Sequence, residues 1–193
     1  MHSIVKENYD VVYSYMNDEL TFEIPTIERK NDAIEFIREM VAACQKIHGT
    51  GGLDGAESYE SWLKLLDKHR KMRYKGYESQ ERVPSITFFC VRKADNRIVG
   101  IVNIRKELSR KIDDMYAGNI GYSIRPSEQH KGYGKQLMKL AIDDCINVLK
   151  LKTIRAGCYE YNIASKKVLE SVGMKPIAIN SGIIKSIYYE LKL

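Results

Sequence analysis

The segment Gln129-His130-Lys131-Gly132-Tyr133-Gly134-Lys135 connects a predicted strand, which stops at Pro126, to a predicted helix. A helix N-terminus offers unpaired N–H groups and the positive end of the peptide dipoles, and glycine allows an anion to approach the backbone. The side chains of Lys131, Lys135 and His130 would add positive charge. The segment predicts either an anion-binding site or a plain glycine-containing turn into a helix. It matches neither the P-loop nor the dinucleotide fingerprint.

Hydrophobic periodicity before this segment predicts two helices between a first strand and a run of three strands. Alternating character indicates a strand at Leu20–Ile24, and spacings of three and four indicate a helix from Asn31 to His48. Ser58 is the candidate cap of the second helix. The residues expected to face inward from the first helix are Ile34, Ile37, Val41, Cys44 and Ile47. The three strands are expected at Ile86–Val91, Ile98–Ile104 and Asn119–Ile124.

After the glycine segment, the pattern predicts a helix over 132–148, a strand at Lys152–Ala156 and a helix over Ala164–Val172 that Gly173 ends. Two terminal strands follow near Ile177 and Ile187. The order β, α, α, β, β, β, α, β, α, β, β predicts a mixed α/β (α+β) domain with a mostly antiparallel sheet. We expect one domain over 20–193, preceded by an N-terminal extension over 1–19.

Composition and charge limit the classes of function. Apolar residues make up 44% of the 193 residues and charged residues 29%, which is enough apolar material for a folded core. The net charge of +6 is unevenly distributed, because residues 1–50 carry −4 and residues 51–193 carry +10. Nucleic-acid binding is not expected, since no recognition-helix or aromatic-and-basic signature accompanies the charge. The acidic first part instead favours a cationic acceptor if the chain is an enzyme.

The four cysteines are far apart, and none has a second cysteine or a histidine at metal-ligand spacing. We therefore expect no metal site. No signal sequence and no apolar run long enough for a membrane span are visible, so a cytoplasmic protein with reduced thiols is expected.

The motif Gln129-x-x-Gly132-x-Gly134 resembles the corresponding segment of the GCN5-related N-acetyltransferases (GNAT). A second stretch, from Asn162 through Ser165 to Gly173, is similar to a downstream helix of the same family. The order of elements from Leu20 onward also resembles that fold, in which the central strands splay apart. The resemblance implies acetyl-CoA as acyl donor, with an amine acceptor and no membrane partner, and leaves a homodimer open.

What the resemblance implies about the donor site can be stated residue by residue. The pyrophosphate would lie on the backbone amides from His130 to Lys135, and the pantetheine would pair like an added strand along Tyr122, Ser123 and Ile124. Asn162 and Ser165 would contact the cofactor arm, although Asn162 is equally suited to capping its helix. The implied cofactor-binding residues are Tyr122, Ser123, Ile124, Gln129, His130, Lys131, Gly132, Tyr133, Gly134, Lys135, Asn162 and Ser165.

The chain departs from the family at Leu169, where many members carry a tyrosine that protonates the departing thiolate. Candidate catalytic residues for proton handling are Tyr122, Tyr159 and Glu160, although tyrosines on sheets often serve only in packing. Cys158 is a weaker candidate as a nucleophile. The expected function is transfer of an acetyl group to a primary amine of a small molecule, peptide or protein. The alternative is a sensor that binds CoA or acyl-CoA without turnover.

A glycine-rich segment between the first two helices lies where this fold covers the acceptor. Gly49–Gly55 could move as a lid that brings His48 or Asp54 to an acceptor amine, or it could be an ordinary flexible connection.

Overall fold

The computed structural model describes residues 19–78, 82–180 and 185–193, except for the side chain of Asp54. The expected N-terminal extension therefore lies almost wholly outside the described residues. The strands are β1 Leu20–Glu23, β2 Ser85–Arg92, β3 Arg97–Arg105, β4 Ile120–Ile124, β5 Thr153–Tyr159, β6 Lys175–Asn180 and β7 Ser186–Lys192. The helices of the described part are α1 Lys30–Ala42, α2 Tyr59–Arg70, α3 Arg110–Asp114, α4 Tyr133–Asn147 and α5 Ile163–Ser171, besides short 3₁₀ turns.

The strands form two antiparallel sheets rather than one continuous ladder. The first has the order β1-β2-β3-β4 and the second the order β5-β7-β6. In the described part of the chain the two sheets share one bridge, between Gly118 and Ala156, where the Asn119 amide donates to the Arg155 carbonyl at 2.7 Å. Beyond that joint β4 and β5 separate, which leaves one edge of β4 unpaired. The fold class predicted from the sequence, including splayed central strands, is confirmed.

Two cores lie on opposite faces of the first sheet. Helices α4 and α5 cover one face, where Leu137, Ala141 and Leu169 pack with alternate residues of β2 to β4. Helices α1 and α2 cover the other face, where Phe36 and Trp62 pack on β2 and β3. Side chains of successive strand residues alternate between the two faces. Each residue of β4 is therefore directed either towards α4 and α5 or towards α1 and α2.

The predicted cap of the second helix is confirmed. The Ser58 hydroxyl accepts a hydrogen bond from the Ser61 amide at 3.1 Å, and the Ser61 hydroxyl accepts one from the Ser58 amide at 2.9 Å. This reciprocal arrangement satisfies two N–H groups and fixes where α2 begins. The cap ends the glycine-rich connection at a defined residue.

The inward face predicted for the first helix is partly wrong, because Ile37 and Ile47 pack against the core but Val41 and Cys44 are exposed. Helix α1 ends at Ala42 and buries Ala33, Phe36 and Met40, whereas Val41 is exposed. The adjacent stripe of Asp32, Glu35 and Glu39 forms ion pairs with Arg125, which is fully buried. Three carboxylates at spacings of three and four can meet one guanidinium only if that side of the helix is turned to the sheet. The ion pairs therefore set the rotation of α1.

Candidate active site

The N-terminus of α4 presents backbone amides at the open end of the cleft between β4 and β5. The first backbone bond within the helix runs from the Gln136 amide to the Gly132 carbonyl at 3.2 Å. The amides of Tyr133, Gly134 and Lys135 precede that bond and have no acceptor within the helix. His130 and Gly132 adopt positive φ angles of 62° and 88°, which turn the chain sharply into the helix. The arrangement is suited to holding an anion.

The side chain of Gln129 ties this turn to its surroundings. Its Nε2 donates to the Ile124 carbonyl at 3.0 Å and to the Gln45 side chain at 2.7 Å. The first bond fixes the turn against the end of β4, and the second connects it to the segment after α1. The residue thus positions the α4 amides relative to the strand.

The charged and aromatic side chains of the segment differ in what they can offer an anion. Lys131 donates to the buried Glu128 carboxylate at 3.0 Å, and Arg92 pairs with the same carboxylate at 2.8 Å. Lys135 and His130 are exposed, whereas Tyr133 is buried in the core. The backbone amide of Tyr133 remains at the helix end even though its ring faces inward. An anion would therefore bind the backbone amides, with the exposed ammonium group of Lys135 beside them.

Strand β4 has its unpaired edge beside this helix end. Gly121 and Ser123 are in register with Asn103 and Ile101 of β3, and the Arg125 amide donates to the Val99 carbonyl at 2.9 Å. Because backbone groups alternate between the two sides of a strand, Tyr122 and Ile124 direct theirs to the open edge. The Ile124 carbonyl accepts from Gln129, and its amide remains for an added strand.

Three polar groups meet in the cleft on the α5 side. The Tyr122 hydroxyl donates to the Ser165 Oγ at 3.3 Å, and Ser165 also hydrogen-bonds the Cys158 thiol. Burial raises the pKa of Tyr122 to about 12, although the Ser165 hydrogen bond acts in the opposite direction. Burial also raises the pKa of the Cys158 thiol. Both groups therefore keep their protons at neutral pH, which favours donor roles and weakens Cys158 as a nucleophile.

Asn162 performs the capping role that the sequence left open. Its Oδ1 accepts a hydrogen bond from the Ser165 amide at 3.0 Å at the start of α5. The cap holds the Ser165 backbone beside β5, so the Ser165 hydroxyl reaches Tyr122. Leu169 lies one turn further on and is almost completely buried in the core. Its position confirms that no proton donor stands at this point of the helix.

The other predicted catalytic residues lie at the end of β5. The Tyr159 ring packs edge-on against the His48 ring, with 5.7 Å between the ring centroids. It also stacks on the Tyr161 ring, with 5.3 Å between centroids. Glu160 is directed to Lys185, with 3.8 Å between the charged atoms. The structure thus brings Tyr122 and Ser165 together. Tyr159 instead packs against His48, and Glu160 pairs with Lys185. Their catalytic roles stay predictions.

The glycine-rich connection is docked on the sheet rather than open. The Ser123 hydroxyl accepts from the His48 amide at 2.7 Å and donates to the His48 carbonyl at 3.0 Å. A Cβ at Gly49 would collide with the Gly121 carbonyl oxygen. Trp62 Nε1 donates to the Thr50 carbonyl at 2.8 Å. These contacts dock the segment against the face of the first sheet that α1 and α2 cover, and its movement as a lid stays a prediction. Ser123 consequently uses its side chain on His48.

Three of the carboxylates on which a cationic acceptor was predicted form ion pairs with a buried arginine. Arg125 takes Asp32, Glu35 and Glu39, and Glu39 also pairs with Arg97 at 3.0 Å. Burial opposes ionisation of Glu39, but the Ser127 hydrogen bonds and the Arg125 charge hold its pKa below the usual value. These three negative charges therefore contribute to the structure of α1, and the preference for a cationic acceptor stays a prediction.

The described residues contain no group of three or more His, Cys, Asp or Glu residues that could hold a metal ion. Among those residues, no helix combines the length and the apolar character that a membrane crossing requires.

Comparisons with known proteins agree with this architecture. The family model described as "Acetyltransferase (GNAT) domain" matches residues 19–175. A curated relative from Bacillus subtilis (strain 168), named "Probable N-acetyltransferase YjcK", is 26% identical over 108 residues. That match spans 56% of this chain and 58% of the relative.

Two solved structures from Vibrio species share the fold. The ribosomal-protein-S5-alanine acetyltransferase of Vibrio fischeri has a TM-score of 0.67 and 17% identity, covering 93% of this chain and 96% of that one. The spermidine N-acetyltransferase of Vibrio cholerae, described as dodecameric, has a TM-score of 0.63 and 16% identity, covering 91% and 95%. The family model covers most of the chain, and the chain therefore belongs to the GNAT acetyltransferase family.

Proposed function

We propose that this protein is an acetyl-CoA-dependent N-acetyltransferase that acts on a primary amine of a small molecule, peptide or protein. The observation that carries the proposal is the placement of the α4 amides next to the open edge of β4, with the Tyr122 hydroxyl in the same cleft. One element can hold the phosphates of CoA while the other positions the thioester. Family membership supports acetyl-CoA as the donor.

The donor would be held mainly by backbone groups. The pyrophosphate would accept hydrogen bonds from the amides of Tyr133, Gly134 and Lys135, with the Lys135 ammonium beside them. The pantetheine would pair with the free backbone groups of Tyr122 and Ile124 as an added strand. The thioester would then lie between β4 and β5, near Ser165 and Cys158.

The reaction requires a neutral amine that attacks the thioester carbonyl carbon. The new C–N bond forms as the C–S bond breaks, the amine loses one proton, and the departing thiolate gains one. The pKa of Tyr122, about 12, is well above the value of ~8.5 for an ordinary thiol. Tyr122 therefore stabilises the departing sulfur as a hydrogen-bond donor and keeps its proton, and the proton from the amine neutralises the thiolate through solvent. In this way Tyr122 would serve in place of the tyrosine that Leu169 replaces.

A second candidate function is binding of CoA or acyl-CoA without turnover. The specific observation in its favour is Leu169, which is buried and can neither donate nor accept a proton. A sensor would need the α4 amides and the β4 edge but not the polar group at Tyr122. Both candidates therefore predict binding of acetyl-CoA, and only the enzyme predicts release of CoA in the presence of an amine.

The experiment is a calorimetric titration with acetyl-CoA followed by a thiol-release assay with a library of primary amines. We expect saturable binding and amine-dependent release of CoA. Absence of acetyl-CoA binding at physiological salt would exclude both candidates. Binding with no thiol release for any amine in the library would favour the sensor.

The variant Tyr122→Phe tests the proposed donor. Loss of one hydrogen bond to a developing charge is expected to lower kcat by about ten- to a hundredfold, because such bonds act mainly in the transition state. The dissociation constant for acetyl-CoA should stay within about twofold, since the backbone pairing of residue 122 is retained. Initial rates at saturating donor give kcat, and calorimetric titration with acetyl-CoA gives the dissociation constant. Tyr77→Phe, at an exposed tyrosine that hydrogen-bonds Asp113 of α3, is the matched control.

Several wider expectations belong to the same proposal. A single domain over 20–193 is supported by the shared core that α4 and α5 build with both sheets. A cytoplasmic location is consistent with four free thiols, three of them buried. The two solved relatives are named for an alanine of ribosomal protein S5 and for spermidine, and both acceptors offer an amino group. Assembly of two or more copies remains part of the proposal.

A further inference from the structure

The turn that leads into α4 contains two residues with positive φ angles, and such a turn needs support from its surroundings. The φ angles of His130 and Gly132 are 62° and 88°. Glycine adopts these values readily, whereas a residue with a Cβ, such as His130, does so at a conformational cost. A conformation of this kind persists where neighbouring groups hold it in place. The direction of the α4 amides therefore depends on what fixes the two ends of the turn.

Glu128 stands at the first end of the turn and is buried, with only 3% of its surface exposed. Its carboxylate accepts a hydrogen bond from Lys131 at 3.0 Å, which closes the turn over three residues. Burial opposes ionisation of Glu128, but hydrogen bonds from Arg92 and Lys131 hold its pKa below the usual value. The carboxylate is therefore charged at neutral pH, and a buried charge is stable only when it is paired.

Tyr133 stands at the second end of the turn, as the first residue of α4. Its ring is buried in the core that α4 builds on the first sheet. Its hydroxyl accepts a hydrogen bond from Arg92 Nη1 at 3.1 Å. Because few rotatable bonds separate this hydroxyl from the backbone, a contact that fixes the ring also fixes the Tyr133 amide.

Arg92, the last residue of β2, joins the two ends. Its Nη1 donates to Glu128 Oε2 at 2.8 Å as well as to the Tyr133 hydroxyl. Its Nε and Nη2 donate to the two carboxylate oxygens of Asp95 at 2.8 and 2.7 Å. Two parallel bonds to one carboxylate fix the plane of the guanidinium. Asp95 lies in the connection between β2 and β3, so the sheet itself orients Arg92.

The hydrogen bonds of Arg92 also show which role it can have towards a ligand. A guanidinium has five N–H donors. Four of them make the bonds to Glu128, Tyr133 and Asp95 given above, and the fifth is used by Nη2, which donates to Glu128 Oε1 at 3.3 Å. Arg92 is therefore fully occupied within the protein and is suited to fixing the turn, not to holding a phosphate itself.

Arg92 and Gln129 fix the same turn from different strands. Gln129 ties its middle to the Ile124 carbonyl at the end of β4. Arg92 ties both of its ends to the end of β2. Since β2 and β4 lie on either side of β3, the turn is held against the first sheet at two separate points.

We propose that Arg92 is a positioning residue of the donor site, which holds residues 128–133 in the conformation that directs the α4 amides at the pyrophosphate of acetyl-CoA. This inference rests on the proposed function, because that function puts acetyl-CoA at those amides. Without Arg92 the turn is free to relax, and the donor has to order it on binding. Such ordering weakens binding without changing the reacting groups.

The first test is a calorimetric titration of acetyl-CoA into the wild type, Arg92→Gln and Arg92→Lys. We expect Arg92→Gln to raise the dissociation constant by about tenfold or more. Arg92→Lys should fall between the two, because an ammonium can pair with Glu128 but cannot form the two parallel bonds to Asp95. Where thiol release is measurable, the KM for acetyl-CoA should rise in parallel, with kcat within about twofold of the wild type.

Arg29→Gln is the matched control for loss of a well-bonded arginine. The Arg29 side chain is 16% exposed against 17% for Arg92. Its hydrogen bonds go to Glu23 and Asn96, outside the turn. We expect Arg29→Gln to bind acetyl-CoA within about twofold of the wild type. A merely structural role for Arg92 predicts a lower melting temperature with an unchanged dissociation constant at temperatures where every variant is folded, and that result would overturn the inference.

A double-mutant cycle tests whether Arg92 acts through the turn. Tyr133→Phe removes the hydroxyl and keeps the backbone amide, and we expect it to raise the dissociation constant by about threefold. In the Arg92→Gln background the same change should have almost no further effect, since its partner is already absent. Fully additive effects would contradict the proposed coupling.

The outcomes for this inference and for the proposed function can be told apart. Binding of acetyl-CoA that Arg92→Gln weakens, with no thiol release from any amine, would support the inference and favour the sensor over the enzyme. Thiol release with equal dissociation constants for Arg92→Gln and the wild type would overturn the inference and leave the proposed function standing. Absence of acetyl-CoA binding by the wild type would overturn both.

Discussion

The substitution Gly134→Glu is expected to weaken acetyl-CoA binding by at least about a hundredfold. Gly134 lies in the first turn of α4, between the amides of Tyr133 and Lys135. A carboxylate there would occupy the positive end of the helix and repel the pyrophosphate. About 3 kcal/mol of lost binding free energy corresponds to that factor. Calorimetric titration with acetyl-CoA measures the effect directly.

Two further variants separate charge from size. A Cβ at Gly134 would be 3.2 Å from Val168 Cγ2 of α5, so a methyl group needs only a small adjustment. Gly134→Ala should therefore retain binding within about threefold, as the glycine is helical and not forced to positive φ. Asn147→Glu places a carboxylate on an exposed position at the opposite end of the same helix, about 20 Å away. Near-normal binding by Gly134→Glu would show that the α4 amides do not hold the donor.

The second large effect is expected at Asp144, a buried carboxyl group of α4. Burial raises its pKa to about 7, and its Oδ1 has no hydrogen-bond partner among the described residues. In the unfolded chain the group ionises near its ordinary pKa of 3.8. The protonated form is thus the one that the folded state prefers. Its contribution to stability is present below about pH 4, decreases as the pH rises, and is fully lost above about pH 7.

Comparison of Asp144→Asn with the wild type isolates this contribution from other titrating groups. A pKa that is about three higher in the folded than in the unfolded state corresponds to roughly 4 kcal/mol of unfolding free energy. We expect the difference in unfolding free energy between variant and wild type to change by about 2–4 kcal/mol between pH 4.5 and pH 8, in favour of the variant at the higher pH. Urea unfolding at both pH values provides the measurement. Asp143→Asn, an exposed neighbour, should show almost no change, and an equal change there would refute the assignment to Asp144.

The sequence predicted the strands well because their signals are local. Alternating or continuous apolar runs identified β1 to β4, and glycine at residue 173 marked the end of α5. Helix α3 was missed, since five residues, Arg110–Asp114, are too few for a periodic pattern. The splaying of the central strands was predicted only through the family resemblance, and the division into two sheets was not predicted. The pairing of strands that are distant in the chain cannot be recognised from the sequence of either strand alone.

The rotation of α1 shows why a helix face can be mistaken. Two neighbouring stripes of that helix contain apolar residues, and the sequence alone favoured the one with Ile34 and Val41. Arg125, which is 93 residues from Asp32 in the sequence, forms ion pairs with Asp32 and Glu39. These ion pairs determine which stripe of α1 faces the sheet. A long-range ion pair of this kind cannot be recognised from local spacing. The same pairing engages three of the acidic residues on which a cationic acceptor was predicted.

The candidate site was predictable where it depends on local backbone geometry. The turn from Gln129 to Lys135 is such a feature, and so is the Asn162 cap. The hydrogen bond between Tyr122 and Ser165 depends on how α5 packs beside β4, and therefore required the structure.

The single bridge between the two sheets has a consequence for the energetics of ligand binding. With Gly118 and Ala156 as the one backbone link in the described chain, the width of the cleft depends on side-chain packing and not on a continuous hydrogen-bonded ladder. The two sheets are therefore less restrained relative to each other than neighbouring strands of one ladder. A ligand that contacts both sheets would restrict this relative motion, and the resulting loss of conformational entropy would offset part of its favourable enthalpy of binding.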